Sequence, residues 1–173
     1  GLGDVYKRQS SLGYLEKVLC LLLREGVPIR DMETILETLG DHAGALKDID
    51  IVTEYVRQAL KRTITRRFAE ANSLRVITVD PKVEDTIVAS VKKSEAGSYL
   101  AMDPDLIQKI VNITSGEIDK VKDVIPNIII LTSPIVRIYF KKLIDQFIPN
   151  ITVLSYSEID NTAQIQAIGN IAM

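Results

Sequence analysis

Acid–base and nucleophilic chemistry draws on His, Cys or paired carboxylates brought together in a pocket, and few residues of this 173-residue chain qualify. It has one His, His42, and one Cys, Cys20. His42 falls at the expected end of a helix, where an imidazole satisfies terminal carbonyls, so it reads as a cap rather than a base. Cys20 sits inside the apolar run Val18-Leu19-Cys20-Leu21-Leu22-Leu23 and reads as a small buried hydrophobe. A lone Cys cannot form an internal disulfide and fits a reducing compartment. The chain contains no Gly-x-Ser-x-Gly, His-Glu-x-x-His or Cys-x-x-Cys pattern. These residues point to a non-catalytic domain, with no metal and no cofactor expected.

Anion binding is the next chemistry to weigh, because a strand running into a helix N-terminus is a natural phosphate site. Three such junctions occur: Val76-Ile77-Thr78-Val79 before Asp80-Pro81, Tyr99-Leu100-Ala101-Met102 before Asp103-Pro104, and Ile128-Ile129-Ile130-Leu131-Thr132 before Ser133-Pro134. A phosphate cradle wants glycines and free backbone N–H groups. Here Asp places negative charge where phosphate would sit, and Pro removes a donor. Asp80, Asp103 and Ser133 therefore read as helix caps, with Pro at the first helical position. The rival reading, a small nucleotide- or anion-binding α/β enzyme, finds only Ser133 in its favour.

Charge excludes further classes. Lys and Arg number 21 against 23 Asp and Glu, a formal net charge of −2, which offers no broad field to nucleic acid or an anionic membrane. One basic helix face, Arg57, Lys61, Arg62, Arg66 and Arg67, has only Tyr55 and Phe68 nearby for base stacking. It reads as a solvated or intersubunit face. No apolar run approaches the roughly 20 residues that span a bilayer, so no direct membrane contact is expected.

The elements that must position these residues follow from periodicity. Leu12, Leu15, Val18, Leu19, Leu22 and Leu23 recur at helical spacing. Gly26 and Pro28 end that helix, and Met32, Ile35, Leu36 and Leu39 form the stripe of a second. A third helix is expected over about residues 49–69, with Asp48 or Asp50 as its cap. From Val76 onward, β-branched strands alternate with helices, which indicates βα units and a largely parallel sheet. Ile128 to Leu131 is apolar on both faces and should be its central strand. Ile151 to Ser155 reads as a further strand, Gln164 to Ile171 as another short one, and Glu117 to Val124 as a short helix. The expected fold class is thus mixed α/β: a helical N-terminal segment, then a small βα-repeat domain. Residues 1–11 are set apart as a cloning artefact or disordered tail, residues 12–72 form a partial helical subdomain, and residues 73–173 form the α/β subdomain. Without an initiator Met, the chain reads as a fragment.

The assembled residues resemble a known family. Leu12-Gly13-Tyr14-Leu15-Glu16-Lys17-Val18-Leu19, Leu22-Leu23-Arg24-Glu25-Gly26-Val27-Pro28-Ile29-Arg30-Asp31, and Thr53-Glu54-Tyr55-Val56-Arg57-Gln58-Ala59-Leu60 are similar to the FlhA family of type III secretion export gates. So, in the same order, are Val76 to Pro81, Gly97 to Pro104, Thr132-Ser133-Pro134 and Val153 to Ile159. Gly40-Asp41-His42 departs from the family's tendency towards Ala. The resemblance implies a parent protein with a transmembrane half and a cytoplasmic half that assembles into a nonameric ring at the bacterial inner membrane. That ring docks export substrates and their chaperones and works with other export-apparatus proteins. The chain would be the end of the cytoplasmic half, and flagellar membership is favoured over virulence-type. The resemblance also makes Arg30, Asp31, Glu37, Arg57 and Arg62 candidate subunit-interface residues. Each has a plainer alternative: an ion pair within the domain, or, for Arg30 and Asp31, a cap on their own helix.

Overall fold

Two hydrophobic clusters, one on each face of a parallel sheet, organise the chain. The computed structural model describes the backbone of residues 2–42 and 48–173, and the side chains of residues 12–42 and 48–173. In chain order the elements are α1 (Leu2–Arg24), α2 (Met32–His42), α3 (Ile49–Ala59), α4 (Lys61–Phe68), β1 (Ser73–Val79), α5 (Pro81–Ala89), β2 (Val91–Ser94), β3 (Gly97–Leu100), α6 (Pro104–Val121), β4 (Ile129–Thr132), α7 (Pro134–Asp145), β5 (Thr152–Ser155), a one-turn 3₁₀ helix (Tyr156–Glu158) and β6 (Gln164–Ile171).

The main sheet has the order β5-β4-β1-β6, and every neighbouring pair in it is parallel. Alternation along each strand sorts side chains between the two clusters. Ile77, Val79, Ile130 and Val153 face one, while Leu74, Val76, Ile129, Leu131 and Leu154 face the other. All four residues of β4 are buried, as a central strand covered on both sides requires. Helices α5, α6 and α7 cover the first face through Val83, Ile87, Ile110, Phe140 and Ile144. Helices α1 to α4 cover the second through Val18, Leu22, Ile35, Val52, Val56 and Ile64. The helical segment is therefore one wall of the sheet's own core.

Several expectations needed correction. Tyr99 and Leu100 do not join the main sheet: β3 pairs antiparallel with β2 in a separate hairpin. The partner strand Val-Lys-Lys-Ser is largely exposed, and Gly97 turns the chain at φ +121°, so a surface ribbon results where a buried strand was expected. Glu117 to Val121 is the end of the 18-residue α6 rather than a separate helix. The expected long third helix breaks at Leu60 (φ −89°, ψ 20°), whose amide donates to both Val56 and Arg57 carbonyls. Leu60 is itself buried, and the bend brings Ile64 and Thr65 into the core. Cys20 is exposed, because it lies two residues from both Val18 and Leu22, which take the buried face of α1. Leu36 is likewise about half exposed.

Caps behave as the side-chain chemistry dictates at two junctions and differently at the third. Lys82 N donates to Asp80 Oδ2 (3.1 Å), and Asp105 N donates to Asp103 Oδ1 (2.9 Å). Ser133 occupies the N-cap position of α7, but its hydroxyl makes no cap bond. Instead its amide donates to Glu84 Oε2 at 2.8 Å. At the other end of a helix, Gly26 (φ +74°) ends α1, with Gly26 N donating to the Leu23 carbonyl and Val27 N to that of Leu22. This is a Schellman arrangement, and it fixes where Glu25 points. Asp80→Ala and Asp103→Ala should each lower unfolding free energy by about 1 kcal/mol. Ser133→Ala should change it by less than about 0.5 kcal/mol. Urea denaturation of the three variants measures the contrast.

Candidate functional site

The densest polar chemistry lies inside the protein, where the helical wall meets the sheet. Arg137 of α7 is fully buried; its Nε and Nη2 donate to the two Glu54 oxygens (2.6 and 2.8 Å). Its Nη1 and Nη2 donate to Glu25 (2.8 and 3.0 Å), and Nη1 also to the Val153 carbonyl (3.0 Å). Arg57 of α3 forms the second fork, with Nε and Nη2 each 2.9 Å from a Glu158 oxygen. Glu25 and Glu54 stand 3.8 and 4.0 Å from the same guanidinium. Glu158 Oε1 also accepts from Ser155 N (3.2 Å). Three carboxylates thus share two guanidiniums, and Arg57 Nη1 is buried without an acceptor in the protein.

Burial and charge compete at each group. Burial pushes Glu54 up, and this outweighs the opposing charge and hydrogen bonds of Arg137 and the charge of Arg57; the Glu158 carboxylate adds to the rise. Burial also pushes on Glu25, but Arg137, Arg57 and Lys141 together hold it below the ordinary range. Burial works against the charge on Arg137, yet the Glu54 and Glu25 carboxylates keep it firmly protonated. The cluster holds elements together: it joins the end of α1, α3, α7, β5 and the turn after β5. Nothing in it presents a nucleophile or an open coordination position to solvent.

Of these five, only Arg57 is among the sequence candidates, as a subunit-interface residue or a member of an ion pair within the domain. Arg57 is 1% exposed and bonded within its own chain, so it belongs to the plainer alternative, an internal ion pair, and cannot contact a neighbour. Glu25, Glu54, Arg137 and Glu158 were missed. The available signals were Arg137 interrupting Ile135-Val136 and Ile138, and the Ser155-x-x-Glu158 spacing of a capping box.

The other candidates lie on the surface. Arg30, Asp31, Glu37 and Arg62 are all exposed. Asp31 caps α2, accepting from Thr34 N (3.2 Å) and Thr34 Oγ1 (2.7 Å), and these bonds hold its carboxyl below the usual range. Arg30 and Asp31 share a groove of about 780 Å³ with Pro28, Arg62, Arg66 and Arg67. His42 stacks on Tyr55, ring centroids 4.4 Å apart at 19°. At the N-terminus of α7, where an anion would sit, the Glu84 carboxylate already takes the Ser133 amide. Among the described residues no group of three or more His, Cys, Asp or Glu could hold a metal ion, and no helix is long and apolar enough to cross a membrane.

Removing one partner of the buried cluster strands the others. Arg137→Met should lower unfolding free energy by about 3–5 kcal/mol, measured by urea denaturation at neutral pH. The pH dependence has two signs. Glu25 titrates below its ordinary 4.5 when folded, so its contribution is present above that value and lost as pH falls through the lower folded one. Glu54 titrates above 4.5 when folded, so its contribution is present below that value and lost as pH rises through the higher one. Glu25→Gln should flatten the acid limb of the stability profile. Glu54→Gln should flatten the loss on the other side of 4.5.

Comparison with known proteins agrees with this architecture. Residues 2–164 match the FHIPEP family. The chain is 41% identical over 167 residues to the flagellar biosynthesis protein FlhA of Bacillus subtilis, covering 96% of this chain and 25% of that protein. The Chlamydia pneumoniae CdsV protein superposes with a TM-score of 0.85 at 36% identity, covering 92% of this chain and 46% of that one. CdsV in complex with CdsO gives 0.81 at 35% identity, covering 93% and 48%. The nonameric EscV cytosolic domain from the type III secretion system gives 0.78 at 30% identity, covering 98% and 50%. The chain therefore spans about a quarter of the curated relative's length and about half of the solved chains. With the sheet, the helical wall and the match over residues 2–164 in agreement, the chain belongs to the FHIPEP family.

Proposed function

We propose that this chain is part of the cytoplasmic region of a type III protein-export gate, flagellar in type, that acts by ring assembly and by docking export substrates and their chaperones. The observation that carries this reading is the match of both the helical wall and the sheet to a nonameric cytosolic domain across 98% of the chain. The complex of a relative with CdsO supports partners from the export apparatus. The 41% identity to a flagellar protein, above that to the solved secretion proteins, supports the flagellar assignment.

The reading is one of binding rather than catalysis. The single His is stacked on a tyrosine, the densest ionic cluster is buried, and the anion position at the β4–α7 junction is filled by Glu84. Arg30, Asp31, Glu37 and Arg62 remain the surface candidates for subunit contact. The parent protein would place this region at the cytoplasmic face of the inner membrane.

The test uses the whole cytoplasmic region of the parent protein. Sedimentation velocity should show concentration-dependent assembly towards a nonamer, and immobilised protein should retain export chaperones loaded with cargo. A protein that stays monomeric and retains no chaperone overturns the proposal. In parallel, a thermal-shift panel of nucleotides should leave the melting temperature unchanged. A ligand at 100 times its Kd would stabilise by about 2.7 kcal/mol, and such a shift would point to a nucleotide-binding domain instead.

A further inference from the structure

The groove between the α1–α2 loop and α4 carries an excess of positive charge. Arg62 and Arg66 stand four residues apart on one helix, Arg67 follows, and Arg30 faces them across the groove. All four are exposed, and among the described residues none is in an ion pair. The one carboxylate lining the groove, Asp31, is occupied in capping α2. Asp160 lines the adjoining groove with Arg62 and Arg66 without pairing with either. Four guanidiniums against one lining carboxylate leave an excess of positive charge that attracts an acidic partner.

The same chain carries the complement on the exposed side of α2. Opposite the buried Ile35 and Leu39, α2 presents Glu33, Glu37 and Asp41 to solvent, each four residues after the last. None of them is in an ion pair among the described residues. Leu36, 49% exposed, borders this ridge. A step of four residues advances about 6 Å along either helix, so the Arg62–Arg66 spacing on α4 matches the Glu33–Glu37 spacing on α2. Guanidinium forks bind carboxylates two bonds at a time and lose less hydration than ammonium groups would, which suits them to an interface.

We propose that the Arg62–Arg66 groove of one copy receives the Glu33–Glu37–Asp41 ridge of the next. This rests on the ring-forming reading above and supplies its contact. Groove and ridge are built from different residues, so the contact can repeat head-to-tail from copy to copy, and it closes into a ring where the rotation between copies allows.

Charge exchange in the whole cytoplasmic region tests it. Arg62→Glu with Arg66→Glu, and separately Glu33→Arg with Glu37→Arg, should each raise the concentration for half-assembly by at least about tenfold, the scale of opposed like charges. The quadruple variant, which swaps both surfaces, should recover assembly to within about threefold of the natural protein. Assembly of the natural protein should also weaken as added salt shortens the Debye length from about 10 Å towards 3 Å. The milder Arg62→Gln with Arg66→Gln, whose melting temperature should be unchanged, should weaken assembly in the same direction. If the natural protein assembles but the glutamine and charge-reversed variants assemble equally well, the groove–ridge contact is wrong and the ring reading stands. If the two single-surface variants fail and the quadruple variant, folded by circular dichroism, does not recover, groove and ridge do not meet each other. If the natural protein does not assemble, both readings fall.

Discussion

Two buried guanidiniums are the constraint from which the rest of this structure follows. Arg137 and Arg57 gather Glu25, Glu54 and Glu158 from the end of α1, from α3 and from the turn after β5. Each fork accepts a carboxylate only in its own plane and at hydrogen-bond distance, so five backbone segments are fixed at once. The energetic asymmetry of buried ion pairs matters here. Making such a cluster contributes little net stability, whereas losing one member leaves charge stranded in a poor solvent for it. Arrangements that displace α1 or α3 relative to the sheet are therefore strongly disfavoured, and the helical wall has one seat.

That seat explains why the chain cannot be divided cleanly between its helical and α/β parts. The sheet is apolar on both faces, and the residues of β1 and β4 alternate between two clusters. Removing the helical wall would expose Leu74, Val76, Ile129, Leu131 and Leu154 together, a patch larger than single surface hydrophobes and one that favours aggregation. Ion pairing and apolar burial thus act on the same boundary. Lys142 of α7 adds a more exposed tie to Asp50 of α3 at 2.6 Å.

Several ionic groups are turned inward or tied in caps. Asp80 and Asp103 serve their own helices, Asp31 serves α2, and Glu84 takes the place of an anion at α7. Among the described residues, the exposed charges left without an ion pair include a basic groove and an acidic ridge.

Local chemistry was legible from the residues alone. The three Pro-started helices, the caps Asp80 and Asp103, the buried central strand around Ile129 and Ile130, and the alternation of strands with helices all follow from interactions within a few positions of sequence. The failures share one cause. Leu60, Cys20, Tyr99 and Ser133 are each settled by what lies across space: a core that bends a helix, a helix face that turns outward, a polar partner strand, and Glu84 arriving from 49 residues away. Arg57 is the clearest case, since it sits in a basic run whose other members are exposed. Its acceptor, Glu158, is 101 residues distant, and no periodicity records a contact of that length. The sequence by itself determined most of the elements, their order and the family. Which charges are buried and which remain free for a partner was decided only when the tertiary structure brought distant carboxylates to two arginines.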